Sequence, residues 1–243
     1  MRVFQGLDNL PAFSNAVATM GSFDGVHSGH RALLDRVKTL AAELGGESIV
    51  LTFEPHPRYV LGTGDNMLLL TTIDEKLSLL DQAGIDNVII IPFTTEFSYL
   101  SPEEYIEQVV VKLSLRALVV GYNHRFGHKK EGNYDFLERR SDFEVYMVEQ
   151  QQVVGSKVSS TILRQLLSQG LIAKAVALLG HDYLVSCEFD SNGVADVNKH
   201  KLLPAEGSYD ATINKQPVTL HITAERKLRV EPALEGEAEV WLG

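Results

Sequence analysis

The sequence predicts an α/β protein built on a parallel sheet, followed by a small all-β module. Three observations carry this. Short apolar, partly β-branched runs alternate with amphipathic stretches through the first three-quarters of the chain, the pattern of strands covered by helices on both faces. A glycine- and histidine-rich segment, GSFDGVHSGH from Gly21 to His30, joins the first run to the first long amphipathic stretch. After Tyr183 the helical periodicity stops, and short runs separated by turn residues take over.

Taken in order, strands are expected at Ala16–Met20, Ser48–Phe53, Asn87–Ile91 and Ala117–Val120, with a further one at Phe143–Val148. The stretch His30–Leu44 sets Leu33, Leu34, Val37, Leu40, Ala41 and Leu44 at helical spacing and stops at Gly45-Gly46. A second helix is expected at Ile73–Ala83, ending at Gly84. A third, Ser101–Leu113, opens with Ser, Pro and two Glu, a helix-start signal. Thr161–Gln169 and Leu171–Leu179 read as two short helices broken at Gly170. Beyond them Tyr183–Phe189, Gly207–Asn214, Val218–Thr223 and Ala238–Leu242 read as strands of a module of about 60 residues, near the limit of independent stability. The expected domains are residues 1–183 and 184–243.

Composition narrows the function classes. At 243 residues, 44% hydrophobic and 22% charged, the chain can bury one large core, or one large and one small. Acidic residues outnumber basic ones 32 to 22, a net charge of −10, so the basic footprint of a nucleic-acid partner is missing. An anionic small molecule remains open, because a local site can be positive on a negative protein. No window reaches the ~18–20 apolar residues of a membrane helix, and the N-terminal residues lack a signal-peptide pattern. Cys187 is the single cysteine. An intrachain disulfide and a cysteine-based zinc site are therefore not expected, and a reducing cytoplasm is.

The segment Gly21–His30 is the sharpest chemical signal. Between a strand and a helix, backbone N–H groups and the helix dipole favour an anion. Gly21, Gly25 and Gly29 let backbone approach a phosphate. His27 and His30 share a face of the first helical turn and can donate hydrogen bonds to phosphate oxygens as charge develops. The spacing is neither a Walker loop nor the dinucleotide fingerprint. The bland alternative is a glycine-rich turn with two surface histidines.

Three other segments are candidates. Thr52-Phe53-Glu54-Pro55-His56-Pro57 leaves a strand with two prolines that stiffen it; it is either a pocket wall or a rigid loop with a solvent-facing His56. Gly121-Tyr122-Asn123-His124-Arg125-Phe126-Gly127 offers an amide, a cation and an aromatic face, or is a turn with Arg125 solvated. Ser159-Ser160-Thr161 opens a helix with Arg164 on its first turn, a second anion site in which one serine also serves as the cap.

Together these motifs resemble the prokaryotic FAD synthetases, the adenylyltransferase halves of bifunctional riboflavin kinase/FMN adenylyltransferases, within the nucleotidyltransferase superfamily. GSFDGVHSGH resembles the family signature. TFEPHP is similar to its TFxPHP, GYNHRFG to its Gly-x-(Asp/Asn)-x-x-Phe-Gly loop, and SSTILR to its SSTxIR-type segment. All stand in family order from about Ala16 through Tyr183. The resemblance implies a Rossmann-like nucleotidyltransferase that moves the adenylyl group of ATP onto FMN, giving FAD and pyrophosphate, with Mg²⁺ carried by the nucleotide. It implies catalytic roles for His27, His30 and Arg164. Gly21, Phe23, Asp24, Gly29, Asn123, Ser160 and Thr161 are expected on ATP, with Ser160, Thr161 and Arg164 at its outer phosphates. Phe53, Pro55, His56, Pro57, Arg125 and Phe126 are expected on FMN. Asp24 is expected to orient the loop or the ribose, and no residue is assigned as a metal ligand. Tyr122, Phe53 and Phe126 are candidates for ring contacts.

The C-terminal module departs from the family. A six-stranded kinase barrel with a Pro-Thr-Ala-Asn segment is implied there. DSNGVADVNKH (Asp190–His200) stands in its place, although Pro204–Tyr209 is similar to the family's Pro-x-x-Gly-x-Tyr. A reduced barrel without kinase activity is the expectation. The alternatives are transfer to another phosphate ester, or a non-catalytic flavin- or nucleotide-binding protein.

Overall fold

The apolar runs pair as a six-stranded sheet in the computed structural model of the protein, which describes residues 1–140, 142–149, 152–153 and 156–243. The strands are β1 (Arg2–Gln5), β2 (Val17–Met20), β3 (Ser48–Glu54), β4 (Asn87–Pro92), β5 (Ala117–Gly121) and β6 (Glu144–Val148). They lie in the order β1-β4-β3-β2-β5-β6, and every pairing is parallel. β7 (Gln152–Val153) and β8 (Ser156–Lys157) form a separate hairpin. The helices are α1 (Ser28–Glu43), α2 (Pro57–Val60), α3 (Ile73–Gln82), α4 (Thr95–Ser98), α5 (Pro102–Ile106), α6 (Tyr134–Glu138), α7 (Ser160–Ser168) and α8 (Ile172–Leu179). None of the described helices is long and apolar enough to cross a membrane.

The chain divides into two compact units: Met1–Phe23, His30–Asn66 and Leu79–Gln151 in the first, and Asp24–Gly29, Met67–Ser78 and Gln152–Gly243 in the second. This division follows a different line from the expected segments 1–183 and 184–243. In unit one, both sheet faces are covered. Val37, Leu40 and Ala41 of α1 pack on Val17, Ala117 and Val119. Ile106, Val109 and Val110 cover the face that carries Met20, Ile49 and Leu118. The helix expected at Ser101–Leu113 changes form midway. Ser101 and Glu104 make a capping box for α5, but Glu107–Val111 is a π-helical turn, closed by Lys112 N–H on Glu107 O at 3.2 Å. The β-branched run Val109–Val111 lies in that turn, where α-helix propensity is low.

In unit two, α7 and α8 share one core with six barrel strands. The strands are β9 (Tyr183–Phe189), β10 (Val194–Asp196), β11 (Gly207–Ile213), β12 (Gln216–Ile222), β13 (Lys227–Glu231) and β14 (Gly236–Leu242), in the closed antiparallel order β10-β13-β12-β11-β14-β9. Four of these strands are expected from the sequence, and six close the barrel. Tight connections make this possible. Asn214 and Lys215, with φ of 50° and 63°, form a two-residue turn between β11 and β12, the geometry that matches strand twist.

Candidate active site

The sheet order reverses between β2 and β5, because β3, β4 and β1 lie to one side of β2 and β5 and β6 to the other. Ligands of open α/β sheets bind beyond the carboxyl ends of strands at such a point. Gly21 follows β2 and Tyr122 follows β5, so two of the sequence motifs start there. Phe23, Gly25 and Val26 all take positive φ (47°, 84° and 39°). For the β-branched, fully buried Val26 this conformation costs roughly 1–3 kcal/mol. At Gly25 a Cβ would stand 2.8 Å from Leu70 Cδ1 and displace it, and the positive φ favours glycine whatever the space. At Gly29 a Cβ would meet the His27 ring at 3.2 Å; glycine leaves that imidazole its place.

The signature runs through both units as one stretch of chain. Its Asp24–Gly29 portion lies in unit two, where Asp24 is the hub. Asp24 Oδ2 is ion-paired with Arg164 Nη2. Its Oδ1 accepts from Thr71 N–H at 3.0 Å, and Thr71 Oγ1 accepts from Gly25 N–H at 3.1 Å. Ser160 Oγ donates to the Asp24 carbonyl at 3.2 Å. Arg164 Nε donates to Leu68 O at 2.8 Å, so that among the described residues Nη1 of the guanidinium fork is left for a ligand. Arg164 thus enters the cluster already held, with a side chain 17% exposed beside an Asp24 side chain 3% exposed. Ser159 caps α7 by accepting from Ile162 N–H, so the cap and the Ser160 contact are separate. Thr161 is exposed on the first turn.

His27 is buried, and burial lowers its pKa to about 4; the Asp24 carboxylate opposes that shift and the nearby His181 adds to it. It is therefore a neutral imidazole near pH 7. His181 Nε2 lies 3.1 Å from Gly25 O and its Nδ1 lies 2.7 Å from Asp182 O. His30 is in unit one, where its ring lies 5.1 Å from that of Phe23.

The remaining expected residues are in unit one. His56 is 9% exposed and its Nδ1 accepts from Arg58 N–H at 3.2 Å as the N-cap of α2, with Pro57 in the first helical position. The solvent-facing alternative for His56 is excluded. Pro55 follows a cis Glu54–Pro55 bond. Phe53 is 8% exposed and packs on Phe93 and Phe97 at 5.5 and 6.0 Å. Phe126 is 6% exposed and packs on Tyr105, His124 and Phe136. Both rings are core, with little surface for stacking on a ligand. Tyr122, Asn123 and Arg125 are exposed.

Sequence reasoning missed Thr71 and His181, which contact Asp24 and Gly25. The pattern Thr72-x-x-Glu75 is a capping box that marks where α3 starts, and it could have flagged the segment that carries Thr71. Among the described residues no group of three or more His, Cys, Asp or Glu side chains could cage a metal.

Comparisons with known proteins agree with this geometry. The FAD synthetase family matches residues 10–162. The bifunctional riboflavin kinase/FMN adenylyltransferase of Listeria monocytogenes is 36% identical over 172 residues, 70% of this chain and 55% of that protein. The Escherichia coli protein of the same name is 33% identical over 192 residues, covering 76% of this chain and 61% of its own length. The chain thus spans less than two thirds of either relative. A solved structure described as a macrolide-efflux protein from Streptococcus pneumoniae matches 100% of this chain and 90% of that one, with a TM-score of 0.85 at 21% identity, a likeness of fold. With its signature loop, its second helix-start motif and the matched residues 10–162 all in agreement, this chain belongs to the FAD synthetase family.

Proposed function

We propose that the chain transfers the adenylyl group of ATP to FMN. The observation that supports this best is the Asp24 cluster, which ties the signature loop to the first turn of α7 through Arg164 and Ser160, with the neutral His27 in the same loop. An FMN phosphate oxygen attacks the α-phosphorus of ATP, the bond from that phosphorus to the bridging oxygen breaks, and pyrophosphate leaves. Such a displacement needs positioning and charge neutralisation more than a covalent intermediate. Arg164, Ser160 and Thr161 hold the outer phosphates; bidentate contact suits the guanidinium. His27 and His30 donate hydrogen bonds at the α-phosphate. Gly21, Phe23, Gly29 and Asn123 complete the ATP set, and Pro55, His56, Pro57 and Arg125 receive FMN, with Phe53 and Phe126 backing them from the core.

Mg²⁺ prefers few carboxylates, several waters and substrate phosphates. A donor set in which Asp24 is already ion-paired fits an ion carried by ATP, and when bound the ion neutralises phosphate charge. Residues 184–243 descend, in this proposal, from a riboflavin kinase barrel and do not phosphorylate riboflavin, since DSNGVADVNKH replaces the ATP-binding segment. The lone Cys187 suits a reducing cytoplasm.

Purified protein incubated with ATP and Mg²⁺ plus either FMN or riboflavin, with the flavins resolved by chromatography, tests both statements. FAD from FMN and no FMN from riboflavin is expected. Folded, ATP-binding protein that makes no FAD would move the assignment to another phosphate ester.

A further inference from the structure

Every residue of the segment Leu68–Thr72 is held, and from two sides. Leu68 O accepts from Arg164 Nε, and Thr71 N–H donates to Asp24. These two contacts reach the anion cluster. The intervening residues are held by the connection between β10 and β11. Leu69 N–H donates to His200 O and its carbonyl accepts from Leu202 N–H, both at 2.7 Å. Leu70 O accepts from the ammonium of Lys201 at 2.6 Å. Thr72 N–H closes the segment on Glu75 Oε2 at 2.8 Å.

Lys201 sits in a run, Lys199-His200-Lys201, that reads as a solvated turn, yet it is fully buried. Its three N–H groups have three acceptors: Leu70 O, Leu184 O at 2.5 Å and Glu75 Oε2 at 2.7 Å. The ammonium also lies 4.2 Å from the centre of the Tyr183 ring. Glu75 Oε1 accepts from Ser186 N–H at 2.8 Å, so the pair joins α3, β9 and the segment 68–72. Burial pushes the Lys201 pKa down and Glu75 opposes it. Burying two charges is costly before their attraction is counted. An apolar pair of similar volume would fill the same space without that cost. What the ions add is direction, fixed by three acceptors around one nitrogen.

We propose that Lys201 is a positioning residue for adenylyl transfer. Acting through Leu70, it fixes the segment 68–72 so that Leu68 and Thr71 hold Arg164 and Asp24 where the phosphates of ATP bind. The barrel connection then serves the transferase site itself. This rests on the adenylyltransferase reading.

The double variant Lys201→Met/Glu75→Leu tests it, because it removes both charges together and leaves neither buried alone. The variant is expected to unfold at a lower temperature than the wild type, because Leu70 O, Leu184 O, Ser186 N–H and Thr72 N–H lose their partners, and its kinetics are read below that temperature. Its KM for ATP should rise about ten-fold or more while kcat changes less, since a small misplacement is enough for such losses. Amide exchange at Thr71 should speed up. Adding Thr71→Val, which keeps the N–H on Asp24 but removes the hydroxyl that accepts from Gly25 N–H, should raise KM by less than the product of the separate effects, because both loosen the hold of one segment on the Asp24 loop. Wild-type KM together with wild-type protection at Thr71, in folded protein, would overturn the proposal. If the double variant does not fold, Glu75→Gln keeps the shape, loses one of the accepted hydrogen bonds and should raise KM for ATP several-fold; an unchanged KM overturns it equally. Wild-type protein that makes no FAD from FMN would refute the adenylyltransferase reading alone. Calorimetric ATP affinity and Thr71 exchange would then decide whether Lys201 positions the segment.

Discussion

Asp24–Arg164 and Glu75–Lys201 are both ion pairs of unit two, and both fasten the segment Leu68–Thr72. They differ in what is left over. The arginine side chain is 17% exposed, and its planar fork uses Nε and Nη2 within the protein and keeps Nη1. The lysine side chain is 0% exposed, and all three of its protons are taken. Leftover donor capacity beside an exposed helix turn suits a ligand; saturation in a closed place suits a fastening. Sign of charge and sequence neighbours would not have separated the two.

The largest effect that would sharpen this contrast is on stability. Lys201→Ala leaves the Glu75 carboxylate buried and unpaired and should cost about 3–5 kcal/mol in denaturant unfolding. Arg164→Ala should cost less, because Asp24 keeps Thr71 N–H and the vacated side reaches water. In turnover with FMN and ATP, Arg164→Ala should instead lower kcat/KM by about 10²-fold or more. Arg164→Lys should recover part of this, since it restores charge but not the fork. His30→Ala should remove most turnover with the fold intact. If Arg164→Ala were the less stable variant and kept its rate, the contrast would be reversed.

A second test compares one histidine from each unit. Burial lowers the pKa of His27 to about 4; it does the same for His124, where the Arg125 cation adds to it. In the unfolded chain each titrates near 6.5. Above that pH neither state binds the proton and the full contribution to stability is present. As pH falls from 6.5 to 4 the unfolded chain takes up protons that the folded protein refuses. Each histidine should then withdraw about 3 kcal/mol. His124 Nε2 is buried and, among the described residues, has no hydrogen-bond partner, so His124→Leu should flatten the fall without losing a hydrogen bond. Unfolding free energies measured at several pH values between 4 and 7 give the answer. An unchanged slope would mean that His124 is protonated in the folded protein.

Where the sequence spoke clearly, a local pattern stood behind it. The five expected sheet strands and the helix after Gly21–His30 occur within two residues of their expected bounds. The apolar runs of β2 to β5 are buried, and that of β6 at the sheet edge is half-buried. The missed strands lack such a pattern. β1 is four residues with mostly exposed side chains, β10 is three residues, and β13 alternates Leu228 and Val230 with charge. Each is a strand because a neighbour pairs with it, as β4 does with β1. The site divides in the same way. His27, Ser160 and Arg164 stand in contiguous motifs. Thr71, 47 residues from Asp24 in sequence, is marked only by the capping box beside it, and Lys201, 126 residues from Glu75, has no local signal, because their partners come together only on folding.

The smallest effect concerns a connection that is entirely local, unlike the segment 68–72. The turn Asn214-Lys215 holds both residues at positive φ. Asn tolerates that conformation and lysine does so at a cost, whereas Asn-Gly is the favoured pair for such a turn. Lys215→Gly should therefore stabilise the barrel by about 0.5–1 kcal/mol, with the gain reduced by the greater entropy of glycine in the unfolded chain. Because the turn touches neither ion pair, the change should leave KM for ATP where it is. Thermal unfolding and ATP kinetics on the same variant check both parts. A KM that moved with Lys215 would show that barrel stability in general, and not the contact at Leu70, sets the geometry of the anion cluster.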